Sequence, residues 1–211
     1  KSMTSKASKS KRASGATKSP VGSVNISLIQ NIPELIHELG FDEMAIFNAL
    51  QLDIKQFKNP NNKLSYDDLG CLLAYCVDYC QYPNFGLLVG QRIELESMAI
   101  LGMLMKNAPT LGVAMQMGEK HMQLNDRGAV ASLIPIDASH VAMTFTLING
   151  ATVASNHIID AATVLHYKLL QALCGPQWKP ELIRFAHKRP ENHEPFRVFF
   201  GSNIEFDAEI S

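Results

Sequence analysis

The sequence predicts an α+β fold, in which N-terminal helices precede a small, mainly antiparallel sheet packed with one long helix. Three observations lead to this class. Apolar residues recur at helical spacing through the first half of the chain. After Asp126, Arg127 and Gly128 the periodicity changes to β-rich runs. Helical periodicity then returns over one long segment before short strand-like runs, an order typical of α+β proteins and unlike a regular βαβ alternation.

The N-terminal half is predicted to be a series of short helices with recognisable ends. Asp42, Ser65 and Thr110 occupy positions where a side-chain oxygen can cap the following helix. Gly86 and Gly90, four residues apart, would let a neighbouring element approach one of these helices closely. The predicted helices cover 32–39, 43–50, 66–80, 101–109 and 111–124, and a further helix begins with 85–90.

The C-terminal half is predicted to contain a hairpin, a long helix and two further strands. The runs 129–136 and 140–148 flank a polar turn, as in an antiparallel hairpin. Met143 and Phe145 alternate with mixed residues, so one face of the hairpin should meet the core. The long helix could pack across a two-fold axis or on the domain's own sheet. The remaining predicted elements are a helix at 152–173, a strand at 181–187, a helix at 195–200 and a strand at 204–207.

The first 24 residues differ in composition from the rest of the chain. They hold six basic and no acidic residues, which leaves thirteen basic against twenty acidic residues in the remainder. Because segment 1–24 is also rich in Ser, Ala, Gly and Thr, it is predicted to be a flexible basic tail, and 25–211 the domain. Such a tail could bind DNA or anionic lipid, but a solvated leader or an added expression segment is the simpler interpretation. The acidic body is a poor surface for nucleic acid.

Cysteine spacing and hydropathy indicate the cellular compartment in which the protein works. No secretory signal and no membrane-spanning apolar run is recognisable, so we expect a cytoplasmic protein without a membrane partner. Cys71, Cys76 and Cys80 fall in one predicted helix and Cys174 stands apart, without the spacings of a zinc or redox motif. Positions 76 and 80 share a helix face, which leaves metal or disulfide chemistry open. The leucines on the same helix face favour the alternative that these two cysteines are buried apolar residues.

Several short motifs, taken in order, resemble one family. The run PNFGLLVG at 83–90, followed by LG at 101–102 and APTL at 108–111, resembles the N-terminal, arabinose-binding-like domain of AraC-type transcription regulators. That domain closes with a histidine, a proline and an aromatic-Phe-Gly turn into a strand. The matching residues here are His187, Pro190, Phe199, Phe200, Gly201 and Phe206. The resemblance covers residues 30 to 210, and the order and spacing of the motifs are more specific than any one of them.

The resemblance implies a ligand-sensing and dimerisation domain. DNA would be read by two helix-turn-helix units that this chain lacks, and the strand-like run after Gly201 has no closing element, as expected of one module of a longer protein. The implied partners are a small-molecule effector, a second copy and, through the missing C-terminal domain, DNA, with no cofactor. An effector bound between the helices and the sheet would change the dimer geometry or the interdomain contact.

Two other classes of function are weighed against this one. The first is a stand-alone small-molecule-binding or interaction protein without DNA-binding activity. The second is an enzyme, which the sequence disfavours because it contains no nucleophile elbow, zinc-protease motif, phosphate loop or suggestive carboxylate pair.

Candidate ligand contacts are methionines and a few polar side chains. Methionine can line an adaptable pocket, although it fills ordinary cores equally well. Arg127 could hold a carboxylate with two hydrogen bonds or be a solvated loop charge. His157 and His166 share the long helix near one face, but no third ligand points to a metal. The predicted ligand-binding residues are Met103, Met115, His121, Arg127, His140, Met143 and His157.

Overall fold

The computed structural model describes residues 22–122, 126–148, 153–201 and 203–208. Helices dominate, and the strands form two-stranded sheets, so the predicted α+β class is confirmed. None of the described helices is long and apolar enough to cross a membrane.

The elements are β1 (Ser23–Asn25), α1 (Ile26–Ile29), α2 (Ile32–Glu38), α3 (Glu43–Ala49), β2 (Lys63–Ser65), α4 (Tyr66–Cys80), α5 (Phe85–Arg92), α6 (Ala99–Lys106), α7 (Leu111–His121), β3 (Ala129–Pro135), β4 (Val141–Leu147), α8 (Ser155–Cys174), β5 (Ile183–Arg184), α9 (Glu194–Phe200) and β6 (Ile204–Glu205), with short 3₁₀ helices at Ile54–Lys58 and Leu95–Met98.

The predicted helix starts are confirmed by their caps. The side chains of Asp42, Ser65 and Thr110 each accept a hydrogen bond from the backbone N–H three residues later, at 3.0 to 3.2 Å. Each bond satisfies one of the amides that a helix leaves unpaired at its first turn. These three polar residues therefore fix where α3, α4 and α7 begin.

The domain begins earlier than the predicted boundary at residue 25. Strand β1 pairs antiparallel with β2, with Ser23 opposite Ser65 and Val24 opposite Leu64. Ser23 and Val24 are 4% and 5% exposed, so they belong to the core. A three-residue strand is too short to show a period in the sequence, and its partner lies far along the chain. The remainder of the predicted tail, residues 1–21, lies outside the described residues.

The hairpin of β3 and β4 has the predicted pairing and the predicted inner face. Ala129 lies opposite Leu147 at one end of the ladder, and Pro135 lies opposite Val141 at the other. Among the inner-face residues, Leu133, Met143, Phe145 and Leu147 pack against the main core. The outer face carries exposed Val130 and Ile134. The hairpin is therefore an apolar sheet laid over the helices on one side only.

Helix α8 packs most extensively on α5, and less on α4 and β4. A Cβ atom on Gly86 would lie 2.2 Å from the carbonyl oxygen of His157, and one on Gly90 would lie 2.7 Å from Cβ of Val164. The close approach predicted for these two glycines is confirmed, and its partner is α8. The small residues of α8, including Ala161, thus meet another helix of the same chain and are not chiefly packed on the sheet.

Lys168 of α8 binds the end of α5. Its ammonium donates to the backbone carbonyl of Gln91 at 3.1 Å and to that of Ile93. These are carbonyl groups that the end of α5 leaves unpaired. A cation at this end also complements the helix dipole. The two helices are therefore joined by packing along their length and by hydrogen bonds at one end.

The C-terminal segment forms a second, aromatic core. Strand β5 pairs parallel with β6, so the sheets of the chain are mainly, and not wholly, antiparallel. The ring of Phe185 stacks on Phe206 at 5.2 Å and meets Phe196 edge-on at 5.5 Å. Tyr167 of α8 contacts Phe200 at 5.3 Å. Rings at these distances and angles stabilise one another beyond their buried area, and they fasten this segment to α8.

The cysteines are free thiols. Cys76 and Cys80 are buried, whereas Cys71 and Cys174 are exposed. Burial raises the pKa of the Cys76 thiol, and the neighbouring Cys80 raises it further. A thiol with a raised pKa is a poor nucleophile and metal ligand. The described residues contain no cluster of three or more His, Cys, Asp or Glu side chains that could hold a metal ion.

Candidate ligand cavity

The inner face of the hairpin, strand β1 and helices α1 and α4 to α8 line a cavity of about 110 Å³ that is partly open to solvent. Most of its wall is aliphatic or methionine, so it resembles the apolar pockets that bind small molecules. Every element around the cavity contributes at least one apolar side chain. Representative wall residues are Leu69 and Leu73 of α4, Val89 of α5, Leu101 and Met105 of α6, Met115 of α7, Leu133 and Met143 of the hairpin, and Ile158 and Leu165 of α8.

Tyr66 and Asp126 form a buried polar pair in this wall. The Tyr66 hydroxyl donates to Oδ2 of Asp126, and the backbone N–H of Gly128 donates to Oδ1 at 2.9 Å. Burial raises the pKa of Asp126, and the hydrogen bonds from Tyr66 and from the backbone offset only part of that rise. Burial likewise raises the pKa of Tyr66, as does the adjacent Asp126 carboxylate. The two groups satisfy each other and tie the start of α4 to the start of the hairpin.

His166 brings an imidazole to the wall from α8. Burial lowers its pKa to about 4, against a smaller upward effect of a hydrogen bond to the backbone of Ala162. The ring packs beside Phe145 of the hairpin, with the centroids 5.4 Å apart. At neutral pH the ring is therefore uncharged. One ring nitrogen donates to the Ala162 carbonyl, so the other is a hydrogen-bond acceptor.

Glu119 and Ser132 lie on the more exposed side of the cavity. The Ser132 hydroxyl donates to Oε1 of Glu119 at 3.0 Å and so connects α7 to β3. Glu119 is exposed and Ser132 is half-buried. This polar link spans the edge at which the hairpin meets α7, and it is the most solvent-accessible polar contact of the wall.

Two of the three predicted methionines lie in this wall. Met115 reaches it from α7 and Met143 from β4, and both pack against the core around it. Met103, by contrast, is 68% exposed on α6 and does not contact the cavity. Met98, Met105 and Met122, which are not among the seven predicted ligand-binding residues, also line the wall. Methionine is thus both a core residue and a cavity residue here.

The predicted polar anchors lie elsewhere. His121 ends α7 without reaching the cavity, and Arg127 is exposed in the loop before β3. His140 is exposed in the hairpin turn, where Nδ1 lies 2.7 Å from Oδ2 of Asp137. The structure therefore does not bring these three side chains together around one volume.

His157 belongs to a different cluster. Its Nδ1 lies 3.7 Å from Oδ2 of Asp160, beside the N-terminal end of α5. Oδ1 of Asp160 lies 2.9 Å from Nε2 of His187. His157 and His166 do not share an environment, because nine positions are two and a half helical turns and place them on opposite faces. The expectation that they lie near one face is wrong.

The polar residues of the wall were missed by the sequence analysis. Tyr66 appears in the sequence as the first residue of a capped helix, and Asp126 as a turn residue. The hydrogen bond that gives both residues a place in the cavity joins positions 60 apart. A local pattern cannot reveal such a pair. His166 offered a weaker signal, since it is a polar residue on a long helix with apolar neighbours.

Comparison with known proteins identifies the family. A model described as the arabinose-binding domain of AraC transcription regulators, N-terminal, matches residues 40–211. The ornithine utilization regulator of Pseudomonas aeruginosa is 24% identical over 185 residues, which cover 87% of this chain and 54% of that protein. The crystal structure of the transcriptional regulator CdpR, also from Pseudomonas aeruginosa, has a TM-score of 0.53 and 15% identity over 82% of this chain and 51% of that chain.

The structural match shows a shared fold. The chain spans about half the length of the relatives that it matches. The family model covers the hairpin, the aromatic core and helices α3 to α9. The sequence motifs, the fold and this match agree, and the chain belongs to the family of arabinose-binding N-terminal domains of AraC-type transcription regulators.

Proposed function

We propose that this chain is the ligand-sensing and dimerisation domain of a cytoplasmic AraC-type transcription regulator. DNA would be bound by helix-turn-helix units in the part of such regulators that this chain does not cover. The observation that carries the proposal is an apolar cavity between the hairpin and the helices, in a member of a family described as an arabinose-binding domain. The relatives are named as regulators and not as enzymes, which supports a regulatory role.

The hairpin is the element best placed to change position when a ligand binds in the cavity. A two-stranded hairpin is marginally stable by itself and depends on what its apolar face packs against. In this protein that face includes Met143 and Phe145, which line the cavity. A ligand would add contacts to them, and it would favour whichever hairpin position makes more of those contacts. The exposed apolar residues of the hairpin near its turn, Ile134 and Ile136, would carry the change to a second copy of the chain.

A cavity-filling variant with a matched control tests the sensing role. Ala131 lines the cavity, whereas its neighbour Val130 faces outward, so Ala131→Phe blocks the cavity and Val130→Phe does not. The probe is a small-molecule extract from cultures grown on several carbon sources. We expect the extract to raise the thermal midpoint of the wild type and of Val130→Phe, and to leave Ala131→Phe unchanged. An increase of equal size in all three proteins would contradict a sensor cavity at this place.

Dimerisation is tested separately by sedimentation equilibrium of the chain. We expect a concentration-dependent dimer that a polar change on the outer face of the hairpin, Ile134→Lys, weakens at least tenfold. The matched change Val198→Lys lies on the exposed face of α9, where Val198 is 76% exposed, and should leave the dimer intact. A monomer at all concentrations, or equal weakening by both changes, would contradict the proposed surface.

A further inference from the structure

We infer that the cavity binds an uncharged, largely apolar molecule that carries one hydroxyl or N–H donor, and that this donor bonds to the imidazole of His166. The inference rests on the proposed function, because it specifies the chemical class of the effector at the same cavity. It follows from the charges, hydrogen bonds and size of the wall.

The described wall offers no cation to an anionic ligand, and both of its carboxylates already accept hydrogen bonds within the protein. No lysine or arginine is among the described residues that line it. Of its two carboxylates, Asp126 already accepts hydrogen bonds from Tyr66 and from the backbone of Gly128, and Glu119 lies at the exposed side with Ser132. A charge placed in an apolar cavity without a partner is strongly destabilised. Anions are excluded most firmly, since no cation faces them.

His166 selects for a hydrogen-bond donor on the ligand. Its imidazole borders the cavity, and one of its nitrogens is engaged by the backbone of Ala162. The uncharged ring can then only accept at its second nitrogen. A ligand hydroxyl or N–H would satisfy that acceptor, whereas an ether or ketone oxygen would repel it. The contact with Phe145 holds the ring in place from the hairpin side.

The size of the cavity sets the size of the apolar part. A volume of about 110 Å³ is smaller than the ~150 Å³ apolar cavity that admits benzene. A group of about four or five carbon atoms fills it, and a larger ligand would either extend through its open side or move the hairpin outward. The flexible side chains of Met115 and Met143 would permit such a movement.

Four small probes of nearly equal size separate these features. They are 1-butanol, its isomer diethyl ether, which has no donor, butylamine, which is a cation at pH 7.5, and butyrate, which is an anion. Dissociation constants of the 211-residue chain are measured by chemical-shift titration. We expect 1-butanol to bind three- to tenfold more tightly than diethyl ether, as a single hydrogen bond implies, and at least tenfold more tightly than butylamine or butyrate.

Variants assign the binding to the cavity and to His166. His166→Phe should abolish the preference for 1-butanol over diethyl ether, while His166→Gln, which keeps an acceptor oxygen, should retain it. Ala131→Phe should block all binding, and Val130→Phe should not. If 1-butanol still binds to Ala131→Phe, or does not bind to the wild type, the inference is overturned.

Each further outcome also decides a specific point. Tighter binding of butylamine would mean that Asp126 or Glu119 binds a cation, and tighter binding of butyrate would mean that a basic group reaches the cavity. Either result overturns the uncharged class. Equal affinity for 1-butanol and diethyl ether in the wild type overturns the role of His166. None of these results decides the sensing role, which is tested separately by whether the culture extract discriminates between Ala131→Phe and Val130→Phe.

Discussion

At the scale of single residues, burial in the cavity wall favours the uncharged form of two titratable groups of opposite type. It lowers the pKa of His166 and raises the pKa of Asp126. In both cases the cause is the loss of hydration of the charged form. The described wall contains no lysine or arginine, and its carboxylates, Asp126 and Glu119, already accept hydrogen bonds within the protein. The proposed ligand class depends on these two features.

His166 should make stability depend on pH in a definite direction. Its pKa is lowered to about 4 in the folded protein, so the unfolded chain binds an additional proton between pH 4 and the ordinary histidine pKa of about 6.5. Stability is therefore lost as the pH falls through this window. The residue as a whole keeps some exposure, so we expect a loss of about 1–2 kcal/mol, less than a fully buried ring would show.

Urea unfolding at pH 7 and pH 4.5 checks this prediction. His166→Gln should lose less stability than the wild type between the two pH values. His37→Gln is the control, because His37 has a side-chain exposure of 77%. A pH dependence of His166→Gln equal to that of the wild type would show that the imidazole of His166 is solvated.

The Tyr66–Asp126 pair should stabilise the fold, because loss of the tyrosine hydroxyl would leave the buried carboxylate without one of its hydrogen-bond donors. Tyr66→Phe removes the donor but keeps the ring, which leaves a carboxylate that is 7% exposed with fewer partners. We expect a loss of about 1–3 kcal/mol, measured by urea unfolding at pH 7. Tyr79→Phe is the matched control on the same helix, since Tyr79 is 44% exposed. Equal effects of the two changes would mean that the buried pair adds nothing.

At the scale of elements, the contact between α5 and α8 depends on glycine. Gly90→Ala places a Cβ atom 2.7 to 2.9 Å from atoms of Val164 and Ala161, so one helix must move. We expect destabilisation of about 1–3 kcal/mol from overpacking, despite the higher helix propensity of alanine. Gly112→Ala in α7 meets no atom closer than 4.0 Å and should be neutral or stabilising by up to about 1 kcal/mol. Thermal or urea unfolding of both variants decides the matter, and similar effects would contradict the close approach.

Elements with local signals could be predicted, and elements that depend on distant partners could not. Asp42, Ser65 and Thr110 act on residues three positions away, so the helix starts were visible in the sequence. The alternation in 140–148 likewise reported a half-buried strand. Strand β1 has three residues, too few for a period, and was not predicted, whereas β5 and β6 lie within the predicted strands 181–187 and 204–207. All three are defined by pairing with a remote segment. Their partners and the parallel pairing of β5 with β6 were therefore not predictable.

At the scale of the whole molecule, Asp160 and His187 tie α8 to the C-terminal segment. Nδ1 of His187 donates to the carbonyl of Lys188 at 3.0 Å, and Nε2 donates to Asp160, so the ring carries both protons. Burial lowers the pKa of His187, but the hydrogen bond and charge of Asp160 raise it by more, so the net direction is upward. The pair therefore stabilises the fold fully below the unfolded histidine pKa and is lost as the pH rises through the folded value.

His187→Leu tests this tie. It removes the partner that lies 2.9 Å from Asp160, a carboxylate that is 2% exposed, and leaves only the imidazole of His157 at 3.7 Å. We therefore expect a loss of about 3 kcal/mol at pH 6 and a smaller loss at pH 9. The double variant with Asp160→Asn should recover part of the loss. The measurement is urea unfolding of the four proteins at both pH values. A loss that does not change with pH would mean that His187 acts through packing alone.

The residues that reveal the family mostly hold the domain together and do not contact the cavity. Asn84 donates to the carbonyl of Asn192 at 2.8 Å, Gly86 and Gly90 seat α5 on α8, and Phe200 and Phe206 belong to the aromatic core. The family was therefore readable from the sequence, while the cavity was not. Its wall is assembled from several helices and the hairpin, and of the seven predicted contacts Met115 and Met143 line it.

Methionine methyl NMR tests the sensing cavity most directly. Protein labelled at methionine methyl groups is titrated with the culture extract, with 68%-exposed Met103 and 47%-exposed Met44 as internal references. If the cavity is the effector site, the signals of Met115 and Met143 move together and saturate, while those of Met44 and Met103 stay fixed. If Met115 and Met143 stay fixed while the extract still shifts the thermal midpoint, the effector binds elsewhere and the account is wrong.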